Sequence, residues 1–388
     1  MIEISAIVLA KNEERCIDRC IRSLDRSIFD QIIVVDTGST DSTARIVEQY
    51  VSPRVRLVNQ LWPGGFGRAR NMAMSLVQRG WVFFVDADEC LVANQGEELV
   101  NLLEGLQADE DAVNVVVSPW IVDSSGYESP APGRILLAQG NIAYFGSVHE
   151  EPRVKDSTLG TIRSVVSSIR LTHDGYTVEV VQQKNKLQRN SELLHHCLEE
   201  EPNHPRWLYE QFRETLWTDP VDLLERRCLR ICQGGNGGVA QNLSAESSWY
   251  YFLALRDLAR RAVRDGEASR IAQSAKRLES LNPSSPDAVY FHFLAIVYPY
   301  LWVSGTPSAG SLESFKDLMT HLNQLIKLRR SEMQFEAHSL HPQGANIDAL
   351  ICAYLEVVGM SRRAEEYRSA IAGSWSEPPF EANSIISR

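Results

Sequence analysis

Two carboxylates, Asp86 and Asp88, lie two positions apart directly after the apolar run WVFFV. If the extended conformation of that run continues, both side chains point the same way and place two negative charges at one spot. Carboxylates and substrate phosphates are the usual ligands of Mg²⁺ and Mn²⁺ in phosphate chemistry. A solvated turn is the alternative, and the buried run before the pair disfavours it. The spacing therefore predicts a divalent metal site.

Polar clusters also follow two other apolar runs of the chain. Ligands of open parallel sheets bind beyond the carboxyl ends of the strands, so these clusters and Ala87 are candidates for binding one common ligand. The additional candidates are Ala10, Asn12, Glu13, Asp36, Thr37 and Gly38.

A glycine-rich stretch at residues 64–67 precedes Arg68, Arg70 and Asn71. Free backbone N–H groups of this loop, with the guanidinium groups behind it, could bind an anion at a helix start. The alternative is a flexible turn with an exposed arginine face. No G-x-G-x-x-G motif follows a predicted strand and no P-loop motif occurs, which disfavours a nicotinamide-binding domain and a P-loop enzyme.

The elements that position these residues alternate between apolar runs and helical patterns. Continuous apolar runs are typical of parallel strands that are buried on both faces. Strands are predicted at 4–10, 31–36, 54–59 and 81–85. Helices are predicted at 13–27, from the break at 37–41 to about residue 50, and at 68–79. This order predicts an α/β fold with a parallel sheet and right-handed crossovers. Short apolar stretches between 112 and 171 predict hairpins appended to the sheet.

Beyond residue 177 the pattern predicts only helices. Segments near 201 and 282 both place a proline-led turn before an aromatic-rich helix. They favour helical hairpins of the tetratricopeptide sort, although the intervals do not settle on the usual period of about 34 residues. An irregular helical bundle is the alternative. The predicted domains are 1–176, 177–375 and a flexible tail at 376–388.

Composition excludes several function classes. The 39 Lys and Arg against 50 Asp and Glu give a net charge of −11, which disfavours nucleic acid as a partner. No segment has the roughly 20 consecutive apolar residues that cross a bilayer, and the start of the chain lacks the features of a signal peptide, so a cytoplasmic protein is expected. Seven dispersed cysteines without a C-x-x-C pair predict reduced core thiols.

Four segments, SAIVLAKNEE, IIVVDTGSTDST, GGFGRARNMA and WVFFVDADE, resemble in order and spacing the nucleotide-sugar-binding half of the family 2 glycosyltransferases, which have the GT-A fold. The resemblance continues more loosely through VHEE at 148–151 and THDGY at 172–176. With a helical C-terminal domain, the chain is similar to the subgroup with tetratricopeptide-like tails. That subgroup includes the S-glycosyltransferases that modify cysteines of glycocin peptides.

The resemblance implies roles for individual residues. Asp36 and Thr37 would contact the nucleoside, usually uridine, and because many members have Asp-Asp there, Thr37 weakens a two-carboxylate contact. Asp86 would face the ribose or support the site. Asp88 would bind the metal, with His173 as a second ligand unless that histidine caps a helix or lies at the surface. Arg70 and Asn71 are included among the donor-binding residues.

The acceptor must lose a proton, which calls for a carboxylate opposite the leaving group. Glu150, in the turn with His149, is the preferred general base, and a strand at 142–148 would bring that turn to the site. Glu151, Asp174 and Glu89 are rival candidates, and the alternative for Glu150 is a surface ion pair with Arg134 or Arg153.

The resemblance thus implies an inverting, metal-dependent glycosyltransferase that uses Mn²⁺ or Mg²⁺ and a nucleotide-sugar, most simply a UDP-sugar. Its acceptor would be a peptide, a glycan or a small molecule. The helical domain would dock the acceptor or form a homodimer. Alternatives are a helical-repeat binding protein with an inactive front domain and a sugar nucleotidyltransferase. The latter needs a glycine-rich basic loop where residues 11–14 read KNEE.

Overall fold

The computed structural model describes residues 2–24, 28–123, 128–173, 186–233, 244–300, 320, 323, 326–327, 345–357 and 359–371. The chain forms two compact units, Met1–Glu200 and Glu201–Arg388. The domain boundary predicted at 176 and the predicted tail both lie outside the described residues.

Strands and helices alternate in the N-terminal unit. Its strands are β1 Ile4–Ala10, β2 Gln31–Asp36, β3 Val55–Asn59, β4 Trp81–Asp86, β5 Glu89–Leu91, β6 Val115–Asp123, β7 Glu128–Pro130, β8 Ile135–Leu137, β9 Ile142–Phe145, β10 Glu151–Val154 and β11 Arg163–His173. Its helices are α1 Ile17–Leu24, α2 Thr43–Glu48, α3 Phe66–Met74, α4 Gly96–Gln107 and α5 Lys186–Glu200.

The main sheet has the order β3-β2-β1-β4-β8-β6-β11-β5, with β7 beside β6, and β9 pairs with β10 in a second small sheet. Strands β1 to β4 are parallel to one another, as predicted. Side chains of α1, α2 and α4 pack on one face, and those of α3 and β9 pack on the other. The predicted α/β architecture of the GT-A type is confirmed.

The register of these strands gathers their carboxyl ends at one edge. Ala10 of β1 pairs with Asp36 of β2, and Leu9 pairs with Asp86 of β4. The apolar residues of β1, β2 and β4 are almost all buried, because helices cover both faces. The first polar residue after each run therefore lies at the boundary between core and solvent.

The helices of the N-terminal unit differ in places from the expectations. Helix α1 begins at Ile17 rather than at residue 13, because Asn12 has a left-handed φ of 57° and the chain turns there. Helix α4 was not predicted, although Leu99, Leu103 and Leu106 carry a helical apolar spacing.

The region predicted as appended hairpins is mostly part of the main sheet. Strand β8 pairs antiparallel with both β4 and β6, and β11 runs parallel to β6. The stretches of chain between these strands are long enough for such crossovers, which no local turn signal reveals.

Helices alone make up the described part of the C-terminal unit, as predicted. They are α6 Pro205–Thr215, α7 Val221–Gln233, α8 Ala245–Asp265, α9 Ala268–Leu281, α10 Pro286–Val297, α11 Ala345–Val357 and α12 Ser361–Ile371, with a 3₁₀ turn at Tyr298–Tyr300. Helix α6 packs on α7 and α8, and α8 packs on α9. Helices α6, α8 and α10 begin 40 and 41 residues apart. A tetratricopeptide-like arrangement stays a prediction.

Most of the described aromatic side chains of this unit are core residues. Trp207 and Phe212 are fully buried, whereas Trp217 and Trp249 are about half exposed. No helix in the described ranges combines the length and the apolar character that a membrane span needs.

None of the seven cysteines, all of which the structure describes, forms a disulfide, and all except Cys90 are buried. Burial, followed by the nearby Glu13 carboxylate, raises the pKa of Cys16 to about 12, and burial raises the pKa of Cys352 to about 11. A thiol-specific colorimetric reagent at pH 8 is therefore expected to modify at most one thiol rapidly, that of Cys90, and all seven in guanidinium chloride. Rapid modification of two or more thiols in the folded protein would contradict this packing.

Candidate active site

Two loops interlock at the carboxyl ends of β1 and β2. The Asn12 amide N–H donates to Ser39 Oγ at 2.9 Å, and Asn12 Oδ1 accepts from the Thr40 amide at 2.7 Å. The Glu13 amide donates to Thr43 Oγ1 at 2.7 Å. These bonds satisfy backbone groups that strand pairing leaves open. The loops therefore form a fixed rim beside Asp36.

Asp36 contributes a buried carboxylate with one engaged and one available oxygen. Its Oδ1 accepts from the amides of Gly38 at 2.8 Å and Ser39 at 2.7 Å. Gly38 has a φ of 103°, which favours glycine at this turn. Among the described residues, Asp36 Oδ2 is buried and has no hydrogen-bond partner. A buried acceptor of this kind is expected to have a partner, which a ligand can supply.

Thr37 uses its polar groups within the protein. Its amide and its hydroxyl both donate to the Ala10 carbonyl, at 2.9 and 3.1 Å. The side chain thus joins the ends of β1 and β2. The nucleoside contact that the resemblance implies for Thr37 stays a prediction.

Asp86 and Asp88 contact different side chains, contrary to the expectation from their spacing that both point the same way. The extended conformation ends at Asp86, and Ala87 and Asp88 form the turn between β4 and β5. The carboxylates consequently contact different partners: Asp86 faces two arginines, and Asp88 faces His173.

An alternating series of charges surrounds Asp86, and three of its members, Glu89, Arg134 and Arg70, are buried. Arg134 binds both of its carboxylate oxygens at 2.7 Å, and Arg70 Nη2 donates to Oδ1 at 3.2 Å. Arg134 also lies 3.3 Å from Glu89 Oε1, and Arg70 Nε donates to Glu150 Oε1 at 2.7 Å. We call these five residues the charge chain: Glu89, Arg134, Asp86, Arg70 and Glu150.

Burial and charge act in opposite directions on the carboxyls of the charge chain. Burial alone would raise the pKa of Asp86, but Arg134 and Arg70 outweigh it and hold that pKa well below its usual value. For Glu89, burial dominates over the attraction of Arg134 and raises the pKa to about 7. Asp86 is thus an ionised anchor already neutralised by arginines, and not a vacant metal ligand.

Asp88 and His173 are a pair of donor groups that fits a divalent metal. Strand β5 pairs antiparallel with the end of β11, which places His173 opposite Glu89 and next to the turn that carries Asp88. His173 Nε2 lies 3.4 Å from Asp88 Oδ2, and both side chains are nearly buried. Two ligands at about 2.1 Å from one octahedral ion are about 3 Å apart, so a small shift would let both bind it. Burial lowers and the Asp88 carboxylate raises the pKa of His173, with a net increase.

Two N–H groups of the glycine-rich loop donate hydrogen bonds within the protein, and binding of an anion by this loop stays a prediction. The amides of Phe66 and Gly67 donate to the carbonyls of Ser147 at 2.8 Å and Gly146 at 3.0 Å. A Cβ atom at Gly67 would lie 2.7 Å from the Gly146 oxygen. The glycines are therefore needed for close packing against the loop that leads to Glu150.

The side chain of Asn71 binds the backbone of Tyr144 in strand β9. Its side-chain amide donates to the Tyr144 carbonyl and accepts from the Tyr144 amide, both at 2.8 Å. Its role in binding the donor stays a prediction. His149 follows on the adjoining loop with a left-handed φ of 51°.

Glu150 forms an ion pair with Arg70. The alternative interpretation of the sequence paired it with Arg134 or Arg153 instead. Glu151 pairs with Arg153 at 2.8 Å at the start of β10. Asp174 lies outside the described residues. The structure thus brings Glu150 to Asp86 through Arg70.

Arg134 binds both carboxylate oxygens of Asp86 and is a functional candidate that the sequence did not point to. The signal was an arginine directly before the short apolar run ILLA, where a buried charge needs buried partners.

The sequence model described as "Glycosyl transferase family 2" matches residues 5–176. The SPbeta prophage-derived glycosyltransferase SunS of Bacillus subtilis is 28% identical over 207 residues, which cover 53% of this chain and 48% of SunS. The lipopolysaccharide core biosynthesis glycosyltransferase LpsC of Rhizobium meliloti is 36% identical over 126 residues, 31% of this chain and 44% of LpsC.

The chain therefore matches about half the length of these curated relatives. Among solved structures, S. aureus TarS 1–349 in complex with UDP-GlcNAc aligns over 97% of this chain and 93% of that chain, with 14% identity and a TM-score of 0.36. That TM-score is too low for a residue-by-residue comparison of the sites. The family match, in contrast, spans the strands described above except for the first residue of β1. Residues 5–176 of the chain are thus similar in sequence to glycosyl transferase family 2.

Proposed function

We propose that the chain is an inverting glycosyltransferase that moves a sugar from a nucleotide-diphosphate donor to an acceptor nucleophile with the help of a divalent metal. The observation that carries this proposal is the Asp88–His173 pair at the strand-end edge of a family 2 domain. The resemblance favours a UDP-sugar as the donor. It favours a hydroxyl or thiol of a peptide, a glycan or a small natural product as the acceptor.

The binding step follows from the rim and from Asp36. The available Oδ2 of Asp36 accepts a hydrogen bond from the nucleoside, while its Oδ1 is held by the turn at Gly38. Asp88 and His173 would hold Mn²⁺ or Mg²⁺, which supplies stabilisation of the negative charge that builds on the leaving diphosphate.

The transfer step needs a base on the opposite face of the sugar. Glu150 fits this role because Arg70 engages its Oε1 only, and within the described part of the chain its Oε2 accepts no hydrogen bond. The acceptor gives its proton to Glu150, and its electron pair forms the bond to the anomeric carbon. The electron pair of the broken C–O bond leaves with the nucleoside diphosphate. One displacement inverts the anomeric configuration.

Release of nucleoside diphosphate from a panel of UDP-, GDP- and dTDP-sugars tests this function. Water serves as the acceptor, so the natural acceptor need not be known. We expect release from at least one sugar nucleotide with Mn²⁺ and its loss with EDTA. Failure of every donor with either Mn²⁺ or Mg²⁺ would favour the alternative of a binding protein with an inactive front domain.

A further inference from the structure

The Arg70 guanidinium contacts both the candidate base Glu150 and Asp86, the residue before the turn that carries Asp88. We propose that Arg70 is a positioning residue, which orients the Glu150 carboxylate for removal of the acceptor proton and ties it to Asp86. The inference rests on the proposed function and assigns the element that gives its base a fixed direction.

The surroundings of Arg70 leave its guanidinium one orientation. The side chain is buried, and its Cζ lies 5.1 Å from the ring centroid of Phe84 and 5.5 Å from that of Tyr144. Cation–π contacts and close packing on both rings oppose rotation. The Nε–H that donates to Glu150 Oε1 at 2.7 Å therefore points in a fixed direction.

The other end of the guanidinium is also held by a carboxylate. Nη2 donates to Asp86 Oδ1 at 3.2 Å, and Arg134 holds both oxygens of Asp86. The backbone of Asp86 is also held in place, because its amide donates to Glu89 Oε2 at 2.9 Å. The distance between the Asp88 turn and Glu150 is consequently set by a continuous series of ion pairs.

Only arginine can make this connection. Its planar guanidinium presents donors in two directions at once, whereas a lysine ammonium is a single point of charge on a flexible stem. Arg70→Lys keeps the buried positive charge but cannot hold both carboxylates in the same geometry. Loss of such a supporting contact typically costs 10–100-fold, which is about what we expect here for kcat.

A double-mutant cycle on kcat tests whether Arg70 acts through Glu150. The four proteins are wild type, Arg70→Lys, Glu150→Gln and the double variant, assayed by UDP release from a UDP-sugar that wild type turns over. Arg79→Lys is the matched control, because Arg79 also pairs with a glutamate but is exposed. Affinity for UDP with Mn²⁺ and the melting temperature are measured on every variant.

We expect Arg70→Lys to lower kcat about 10–100-fold, with UDP affinity within about threefold of wild type and Arg79→Lys unchanged. In the Glu150→Gln background the same substitution is expected to have almost no further effect, because its target is already gone. Independent effects that multiply, or a loss of UDP affinity in Arg70→Lys, would overturn the proposal and favour a structural or phosphate-binding role.

Glu150→Asp keeps the test decisive if Arg70→Lys does not fold. It retains the charge but withdraws the carboxylate from Arg70 Nε, and it should lower kcat without weakening UDP binding. Unchanged kcat in Glu150→Asp would overturn the proposal. Absence of any turnover by wild type would instead overturn the proposed function itself.

Discussion

Asp88→Asn is expected to lower kcat/KM at least about 10³-fold, or about 4 kcal/mol in transition-state free energy. Asparagine preserves the size of the side chain and a hydrogen bond toward His173, but it removes the negative charge that a divalent cation requires. The leaving diphosphate then gains charge without a compensating positive charge. The measurement is nucleoside diphosphate release at saturating Mn²⁺, with the donor that wild type uses.

The matched control is Asp111→Asn, which removes an exposed carboxylate of the same domain that pairs with Arg163. We expect it to keep kcat/KM within about twofold, because exposed ion pairs contribute little. If folded Asp88→Asn retained wild-type activity, the metal role of Asp88 would be wrong.

Arg134→Met is expected to lower the free energy of unfolding by about 3–5 kcal/mol. The variant would leave Arg70, which contacts Asp86 and Glu150, as the sole remaining guanidinium of the charge chain. Glu89 would lose its contact with Arg134. A buried carboxylate without its partner loses solvation and gains nothing in return. Chemical denaturation of wild type and variant measures the difference.

Arg79→Met is the control for this variant, because it removes an exposed arginine that pairs with Glu3. Its cost should stay below about 1 kcal/mol. An equally small cost for Arg134→Met would contradict the burial and pairing of Arg134.

The destabilisation by Arg134→Met is expected to depend on pH. The pKa of Glu89 is raised from 4.5 to about 7 in the folded protein, so its protonated form stabilises the fold below 4.5 and that contribution is lost as the pH rises through 7. Without Arg134, whose attraction lowers the pKa, Glu89 takes up its proton more readily. The cost of Arg134→Met should therefore be smaller at pH 5.5 than at pH 8.

The edge that carries the site could be predicted from local patterns, because buried parallel strands must be continuous apolar runs. The run before Asp36 and the run before Asp86 are of this kind, and both acids lie where the sequence placed them. The directions in which the side chains of Asp86 and Asp88 point could not be predicted, since a turn replaces the extended chain directly after Asp86.

Contacts between distant segments had no local signal. His173 reaches Asp88 only because β5 pairs with the end of β11, some 80 residues further along the chain. Arg134 reaches Asp86 because β8 inserts beside β4 in the antiparallel direction. The apolar pattern predicts that a strand is buried, but not which strand becomes its neighbour.

Calorimetric titration with UDP, with and without Mn²⁺, tests most directly whether a donor nucleotide and a metal bind together at this edge. It is made on wild type, Asp88→Ala, Asp36→Asn and Asp111→Asn. The account predicts binding to wild type and Asp111→Asn with Mn²⁺ only, its loss in Asp88→Ala, and affinity about tenfold weaker in Asp36→Asn because a charged acceptor is lost. Equal UDP affinity in EDTA, or unchanged Mn²⁺-dependent binding in Asp88→Ala, would contradict it.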